Sequence, residues 1–402
     1  RSTLFPYTTL FRSDGEWVTA RNTTLGADDG MGVAAAMAII EDDTVEHGPI
    51  EVLITRDEET GMDGAFQLKG GQLSGKYLLN LDSETEGEIT IGCAGGMDVV
   101  ANMEYQELNV NPDNMLCYNI VIKGLLGGHS GIEIFKGRAN ANKLMARILF
   151  AAVNTQQAWL VNWHGGNMRN AIPRECEATV LVPKAQEAEF LALIEKSKAI
   201  FTEEFKDIET NGFQLTATPT LRIPAKAVPQ EIQENLINAV MAAHDGVLRY
   251  TPSMPDLVET SSNLAIINVG DGKAEVICLA RSSQDSMKLY LCNGLVGCFS
   301  MAGMKVSLEG GYSGWQPNPK SALVASMSDI YEKLYGKKPI VGACHAGLEC
   351  GIIGVNYPEM DMASYGPTLV SPHTPSEASL IPTVQKFYDF TLEILKNIPK
   401  KK

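Results

Sequence analysis

A chain of 402 residues is too long for one ordinary domain and long enough to bury a large core, so two domains are expected. Hydrophobic residues make up 45% and charged residues 20%, a globular balance that excludes collagen, coiled coil and wholesale disorder. The formal net charge of -15 argues against nucleic acid as a partner, because that binding needs basic surface to release counterions.

The chain opens on RSTLFPYTTLFRS, which repeats Arg-Ser and Thr-Leu-Phe around a short centre and has neither a helix nor a strand period. Residues 1–13 are therefore expected to be a non-native segment, a scar fused to a chain that has lost its native start. After Leu25-Gly26-Ala27-Asp28-Asp29-Gly30, residues 31–41 read as a buried helix, and His47-Gly48-Pro49 stops it. Residues 50–55 read as a core strand running into Arg56-Asp57-Glu58-Glu59-Thr60-Gly61, and residues 77–81 as a second one ending on Asp82-Ser83-Glu84. Ligands gather at the carboxyl ends of strands in open α/β sheets, so two acidic strand ends point to one shared site.

From about residue 97 the pattern changes. Alternating strand signals at 118–123 and 178–182, helical stretches at 133–153, 186–205 and 231–243, and a hairpin from 265–269 and 275–279 describe an inserted α+β unit. The last hundred residues resemble the first hundred again, with a strand near 360–364, the loop Ser371-Pro372-His373-Thr374-Pro375 and a helix over 383–397. The expected organisation is a catalytic domain from 14–97 and 301–402, with 98–300 inserted. Eight cysteines without C-x-x-C spacing read as reduced thiols of a cytoplasmic protein. No apolar run approaches the roughly 18 residues of a membrane helix, so no membrane is expected as a partner.

A dinuclear hydrolytic site needs carboxylates to hold and bridge two cations, a neutral imidazole, and one carboxylate left free to move a proton. Asp28, Glu58, Glu59, Asp82 and His373 supply that set. Taken singly, Asp28 is a helix cap, Glu58 and Glu59 are solvated turn residues, and His373 is a surface histidine. What singles them out is that all the acids fall at loop or strand-end positions beside apolar runs, where a carboxylate is costly unless paired or metal-bound. His47, His164 and His244 read as structural. Ser130, Ser262 and Cys344 lack the base and orienting acid that covalent catalysis requires.

Four segments carry a resemblance to a known family: Thr23-Thr24-Leu25-Gly26-Ala27-Asp28-Asp29-Gly30-Met31-Gly32, Asp57-Glu58-Glu59-Thr60-Gly61-Met62, Asn80-Leu81-Asp82-Ser83-Glu84 and Ser371-Pro372-His373-Thr374-Pro375. In order and context, from about residue 14 to the end, the chain resembles the di-zinc aminoacylase/carboxypeptidase metallopeptidases, in their Xaa-His dipeptidase and carnosinase branch. The resemblance implies an α/β zinc-peptidase catalytic domain with an inserted α+β lid, a two-layer sandwich through which two copies form a homodimer.

It further implies that Asp28 bridges two Zn2+ ions, with Mn2+ or Co2+ as alternatives, that Glu59 and His373 hold one and Asp82 the other, and that Glu58 is the general base acting on a metal-bridging water. A cis peptide is implied at Asp28-Asp29, where Asp29 replaces the asparagine of the nearest relatives and adds negative charge. Small peptides, Xaa-His dipeptides among them, are the implied substrates. His129, in Gly127-Gly128-His129-Ser130-Gly131, corresponds to the lid histidine that stabilises the oxyanion, while its plain reading is a turn histidine bonded to backbone. Asn170 and Arg281 correspond to substrate-binding positions, Arg281 gripping a terminal carboxylate unless it is a surface ion pair. Gly347, in His345-Ala346-Gly347-Leu348-Glu349, offers backbone contact in the pocket.

One family element has no counterpart: the His-x-Asp motif upstream of the bridging aspartate, since the first histidine here is His47. One metal would keep only Asp28 and Asp82, so the 402-residue chain is expected to hold it weakly and to be inactive or nearly so. Two other readings stay open: an N-acyl-amino-acid deacylase of the same fold, and a non-catalytic binding or dimerisation protein, against which the retained Glu58 argues.

Overall fold

The computed structural model describes residues 10–210, 212–252 and 254–398. The chain divides into two compact units, one formed by Arg1–Cys93 with Trp315–Lys402 and the other by Ala94–Gly314. The crossings thus fall at 93/94 and 314/315, where the sequence suggests 97/98 and 300/301. The later return has a physical reason: Lys305–Tyr312 is a strand that pairs antiparallel with Gly95–Glu104, Lys305 opposite Asn102 and Tyr312 opposite Gly96.

In the first unit a four-stranded sheet runs Ile340–Cys344, Glu88–Cys93, Asp361–Ser364, Tyr77–Asn80. Its outer pairs are parallel, with Tyr77 beside Asp361 and Asn80 beside Ser364, so two strands end together at their carboxyl ends. Alternation assigns the faces. Tyr77, Leu79 and Ala363 pack with Ala35, Met327, Phe387 and Phe390 from the helices Ala27–Glu41, Ala322–Tyr335 and Ile381–Asn397. Leu78 and Met362 turn the other way, toward Cys350 of the helix Glu349–Asn356. Helices on both faces of a largely parallel sheet make this an α/β unit. Cys93 and Trp315 exchange backbone hydrogen bonds of 2.9 Å each, closing the unit where the chain leaves and returns.

A second sheet joins Phe11–Ser13, Trp17–Ala20, Ala378–Leu380 and Leu369–Val370 in antiparallel order. Phe11–Ser13 therefore adopts strand geometry inside the segment expected to be foreign; residues 1–9 of that segment lie outside the described residues. The strand expected at 50–55 does not form among the described residues, and Val52 and Ile54 are 40% and 61% exposed. Strand-type composition expresses a fit to a half-buried pleated surface, and a strand needs a neighbour to supply its ladder. Tyr77–Asn80, at the sheet edge, pairs only with Asp361–Ser364 among the described residues.

The inserted unit is a nine-stranded antiparallel sheet in the order Gln214–Thr220, Met115–Lys123, Cys176–Pro183, Trp159–Gly165, Met254–Gly270, Lys273–Ser282, Gly95–Glu104, Lys305–Tyr312, with Gly246–Thr251 also paired to Met254–Gly270. The helices Ala141–Gln156, Glu187–Glu204, Gln230–Ala242 and Asp285–Met301 share one core with it, built around residues such as Ile120, Leu149, Trp163, Phe190 and Phe299. The single helix expected over 133–153 is instead a short turn, Ile134–Lys136, followed by Ala141–Gln156. Gly137, at φ 65°, ends the turn, and Asn140 caps the new helix by accepting from the N–H groups of Asn142 and Lys143. Among the described residues no helix is long and apolar enough to cross a membrane.

Candidate metal centre

The helix Ala27–Glu41 opens on two residues outside helical geometry, Asp28 and Asp29, and the peptide between them is cis. Asp29 folds back on its own helix: its Oδ1 accepts the N–H of Gly32 at 2.9 Å. A Cβ on Gly32 would lie 2.5 Å from that oxygen, so the glycine is what admits the bond. Burial pushes the Asp29 carboxyl up to about 6 despite this bond.

Asp82 follows the strand Tyr77–Asn80. Its N–H donates to Asn80 Oδ1 at 3.3 Å, and the same oxygen accepts the Ser364 hydroxyl at 2.6 Å, tying both parallel strand ends to the acid. Glu58 and Glu59 begin a one-turn helix, Glu58–Gly61, that the chain enters through Asp57 at φ 58°. His373 sits in the loop between Leu369–Val370 and Ala378–Leu380, itself at φ 61°. Its Nε2 lies 2.9 Å from both Asp28 Oδ2 and Glu59 Oε2. One ligand atom each from Asp28, Glu59 and His373 falls within 4.8 Å of the others.

The electrostatics suit a cation. Burial pushes the Asp82 carboxyl up to about 9, helped by a hydrogen bond shared with Asp28 and by the charges of Asp28, Asp29 and Glu58. Burial likewise lifts Glu58 to about 7, with Glu59, Glu349 and Asp28 adding repulsion. Burial works to lower the His373 imidazole, yet Glu59 and Asp28 outweigh it and raise the net value. Crowded carboxylates that repel one another around a single imidazole are the donor set of a divalent metal, whose charge removes the repulsion. The residues present therefore fit zinc: Asp28, Glu59 and His373 form one cluster, and Asp82 adjoins it through Asp28.

Two buried acids of this unit escape a reading of the sequence. Glu377 is 1% exposed, and its carboxylate accepts the N–H groups of Gly26, Ala27 and Asp28 at 2.9, 2.8 and 3.3 Å. Glu349, 7% exposed, accepts the Thr55 hydroxyl at 2.9 Å on one oxygen, while its other oxygen has no hydrogen-bond partner. The available signal is an acid inside a stretch that otherwise reads as core, Glu377 before Ala378-Ser379-Leu380 and Glu349 before Cys350-Gly351-Ile352. Gly347 lies half-buried in the loop just before Glu349.

Within the inserted unit, His129, Asn170 and Arg281 are brought together. Gly128–His129 pairs with Ala171–Ile172, His129 opposite Ala171, and Ser130 N–H donates to the Asn170 carbonyl at 2.8 Å. His129 Nδ1 accepts from the N–H groups of Gly131 and Ile132 at 3.2 and 3.1 Å. A nitrogen that accepts carries no proton, so the neutral ring is protonated at Nε2. Burial, with the Arg281 guanidinium adding repulsion, holds this imidazole down at about 4. Arg281 is 5% exposed, donates to the Tyr312 hydroxyl at 3.1 Å, and keeps a buried Nε with no partner. His47, His164 and His244 contact Gly48 O, Asn268 Oδ1 and Gly246 O, as structural histidines would.

Comparison with known proteins places this geometry in a family. Residues 120–209 match the model of the peptidase dimerisation domain. The chain is 41% identical to the cytosol non-specific dipeptidase of Escherichia coli K12, over 96% of this chain and 79% of that protein. It is also similar to the crystal structure of aminoacylhistidine dipeptidase from Vibrio alginolyticus, with a TM-score of 0.91 and 40% identity over 98% of this chain and 80% of that one. The aminopeptidase PepT of Bacillus cereus, at 15% identity and a TM-score of 0.50, covers 97% of this chain and 76% of its own, and shares the fold alone. The chain belongs to the M20 family of aminoacylhistidine and cytosol dipeptidases, and is a metallo-dipeptidase of that family's mixed α/β architecture.

Proposed function

We propose that this protein hydrolyses dipeptides with a free amino end, Xaa-His dipeptides foremost, at two zinc ions held by Asp28, Glu59, His373 and Asp82, with Glu58 as general base. The observation that carries the reading is the convergence of Asp28, Glu59 and His373 within 4.8 Å, with Glu58 beside Glu59 in the chain but outside the cluster. Zinc, when bound, supplies Lewis acidity toward the scissile carbonyl and toward water. Asp28 would contribute to both metal positions, since it lies against His373 on one side and shares a hydrogen bond with Asp82 on the other. Glu58, half-buried, accepts a proton from water on its carboxylate and passes it to the leaving amine. His373 is the imidazole of this cluster, so in these 402 residues the Asp82 side is the weaker metal position.

His129 offers a neutral Nε2–H donor for a carbonyl oxygen as it gains negative charge. Arg281 offers a guanidinium for the terminal carboxylate, with Asn170 and the Gly347 backbone as further contacts. The match to a dimerisation domain supports a homodimer, and the cysteines, unbridged and most of them buried, support a reducing cytoplasm. In zinc-loaded protein completed with an upstream His-x-Asp segment, Glu58→Gln is expected to lower kcat/KM about 10²–10⁴-fold with zinc content unchanged; unaltered turnover would remove Glu58 as the base. The Escherichia coli relative is named non-specific and the Vibrio one aminoacylhistidine, which makes substrate breadth the next test. Equal kcat/KM on Ala-His and Ala-Ala would rule out the histidine preference, and faster cleavage of N-acetylhistidine than of either would favour a deacylase.

A further inference from the structure

We infer that Glu377 is a positioning residue for the metal centre: its buried carboxylate clamps the backbone of Gly26, Ala27 and Asp28 to the loop that carries His373, setting the two ligands against each other before metal binds. The inference rests on the proposed metal site.

Its first support is an unmet need at the helix start. The leading N–H groups of any helix lack intrahelical partners. Here the N-cap position is Gly26, at φ 72°, which makes no side-chain cap. The donors must be satisfied from elsewhere, and Glu377 does so across some 350 positions of sequence: Oε2 accepts from Gly26, and Oε1 from both Ala27 and Asp28. A carboxylate 1% exposed is costly without such partners, and three amide donors offset that cost.

The second support is topological. Glu377 shares its loop with His373: its N–H donates to the Thr374 carbonyl at 3.0 Å, and the Thr374 hydroxyl donates to Ser371 O at 2.8 Å. The strand that follows, Ala378–Leu380, pairs with Trp17–Ala20, Thr19 opposite Ala378. The segment between Ala20 and Asp28 is thus fastened at both ends to residues 377–380, first by the ladder and then by the carboxylate. Asp28 has little freedom to move relative to His373, and the 2.9 Å contact between them is the outcome. A glutamate doing this acts through Asp28 and touches neither metal nor substrate.

The test uses the 402-residue chain, with zinc affinity measured by competition with a chromophoric chelator and ligand geometry read from the visible absorption of the Co2+-substituted protein. Glu377→Gln keeps the size but presents one carbonyl oxygen and an NH2 group to three N–H donors. We expect zinc affinity to fall about 10–100-fold, with altered cobalt bands and retained cooperative unfolding. A variant that only loses melting temperature, with affinity and cobalt bands unchanged, overturns the proposal. Asp28→Asn and His373→Ala are the controls: if they lose zinc while Glu377→Gln does not, the clamp alone is wrong, whereas zinc binding unaffected in all three overturns the proposed metal site and the clamp with it. Should Glu377→Gln not fold, wild-type protein decides. Hydrogen exchange on zinc-free protein should show the Gly26, Ala27 and Asp28 amides protected, and rapid exchange there would mean that no clamp exists before metal binds.

Discussion

His129 is fixed by its own loop rather than by a distant partner. Two backbone N–H groups fill its Nδ1, Glu133 accepts its backbone N–H at 2.9 Å, and Glu133 is in turn held by Lys136 and Arg138. With the imidazole held down at about 4, the unfolded chain takes up a proton at this position before the native one does as pH falls. Its contribution to stability is therefore complete above the ordinary histidine value near 6.5, declines as pH drops from there toward 4, and is constant below. Urea unfolding of wild type and His129→Gln between pH 7 and 4 should show the wild-type advantage shrinking across that window, and a histidine NMR titration should place the His129 midpoint near 4. A midpoint near 6.5 would remove the locked tautomer. The chemistry-bearing residue types are readable from sequence because each stands in a polar loop beside apolar chain. Glu377 and Glu349 are not, because a buried acid is explained only by its partners, and those of Glu377 lie at the other end of the sequence.

Elements with a clean period are legible at the sequence level, and elements held by polar contacts are not. The helices at Glu187–Glu204, Gln230–Ala242 and Ile381–Asn397 fall within a few residues of their expected bounds. The strand expected at 265–269 is in fact Met254–Gly270, because the part that precedes 265 contains the buried polar run Thr260, Ser261, Ser262 and Asn263, which carries no hydrophobic signal. The hairpin turn that follows is legible: Asp271 and Gly272 sit at φ 51° and 75°, the Asp-Gly pair that a two-residue turn favours. Asn140 shows how a polar side chain replaces periodicity. Its Oδ1 accepts from Asn142 N–H, and its Nδ2 donates to Asp245 at 3.0 Å and to the Leu264 carbonyl at 3.1 Å, so one residue starts the helix Ala141–Gln156 and ties it to the sheet. Asn140→Ala loses the cap and leaves a buried carbonyl without this partner, a cost of about 2–3 kcal/mol. Chemical denaturation should register that as a lower urea midpoint at unchanged m-value; a loss under about 0.5 kcal/mol would mean that the cap is dispensable.

On the scale of the whole molecule, each unit owns its core, and every proposed metal ligand belongs to the first. Asp28, Glu59, Asp82 and His373 all fall within Arg1–Cys93 and Trp315–Lys402, whereas the cluster around Ile120, Leu149 and Trp163 lies within Ala94–Gly314. Metal that binds only the native first unit stabilises that unit by mass action, about 2.7 kcal/mol when free zinc is roughly 100 times its dissociation constant. Chelation should therefore act on one unit and spare the other. Hydrogen exchange with and without chelator can read this directly. Amides of Ala322–Tyr335 and Ile381–Asn397, packed on the metal-bearing sheet, should lose protection, while those of Ala141–Gln156 and Gln230–Ala242 should keep theirs. Equal loss in both sets would show that the two units unfold as one cooperative body and that the inserted unit depends on the metal. Loss in neither would show that the carboxylates of the first unit hold their arrangement without a cation, against the burial and mutual repulsion that raise Asp82 and Glu58.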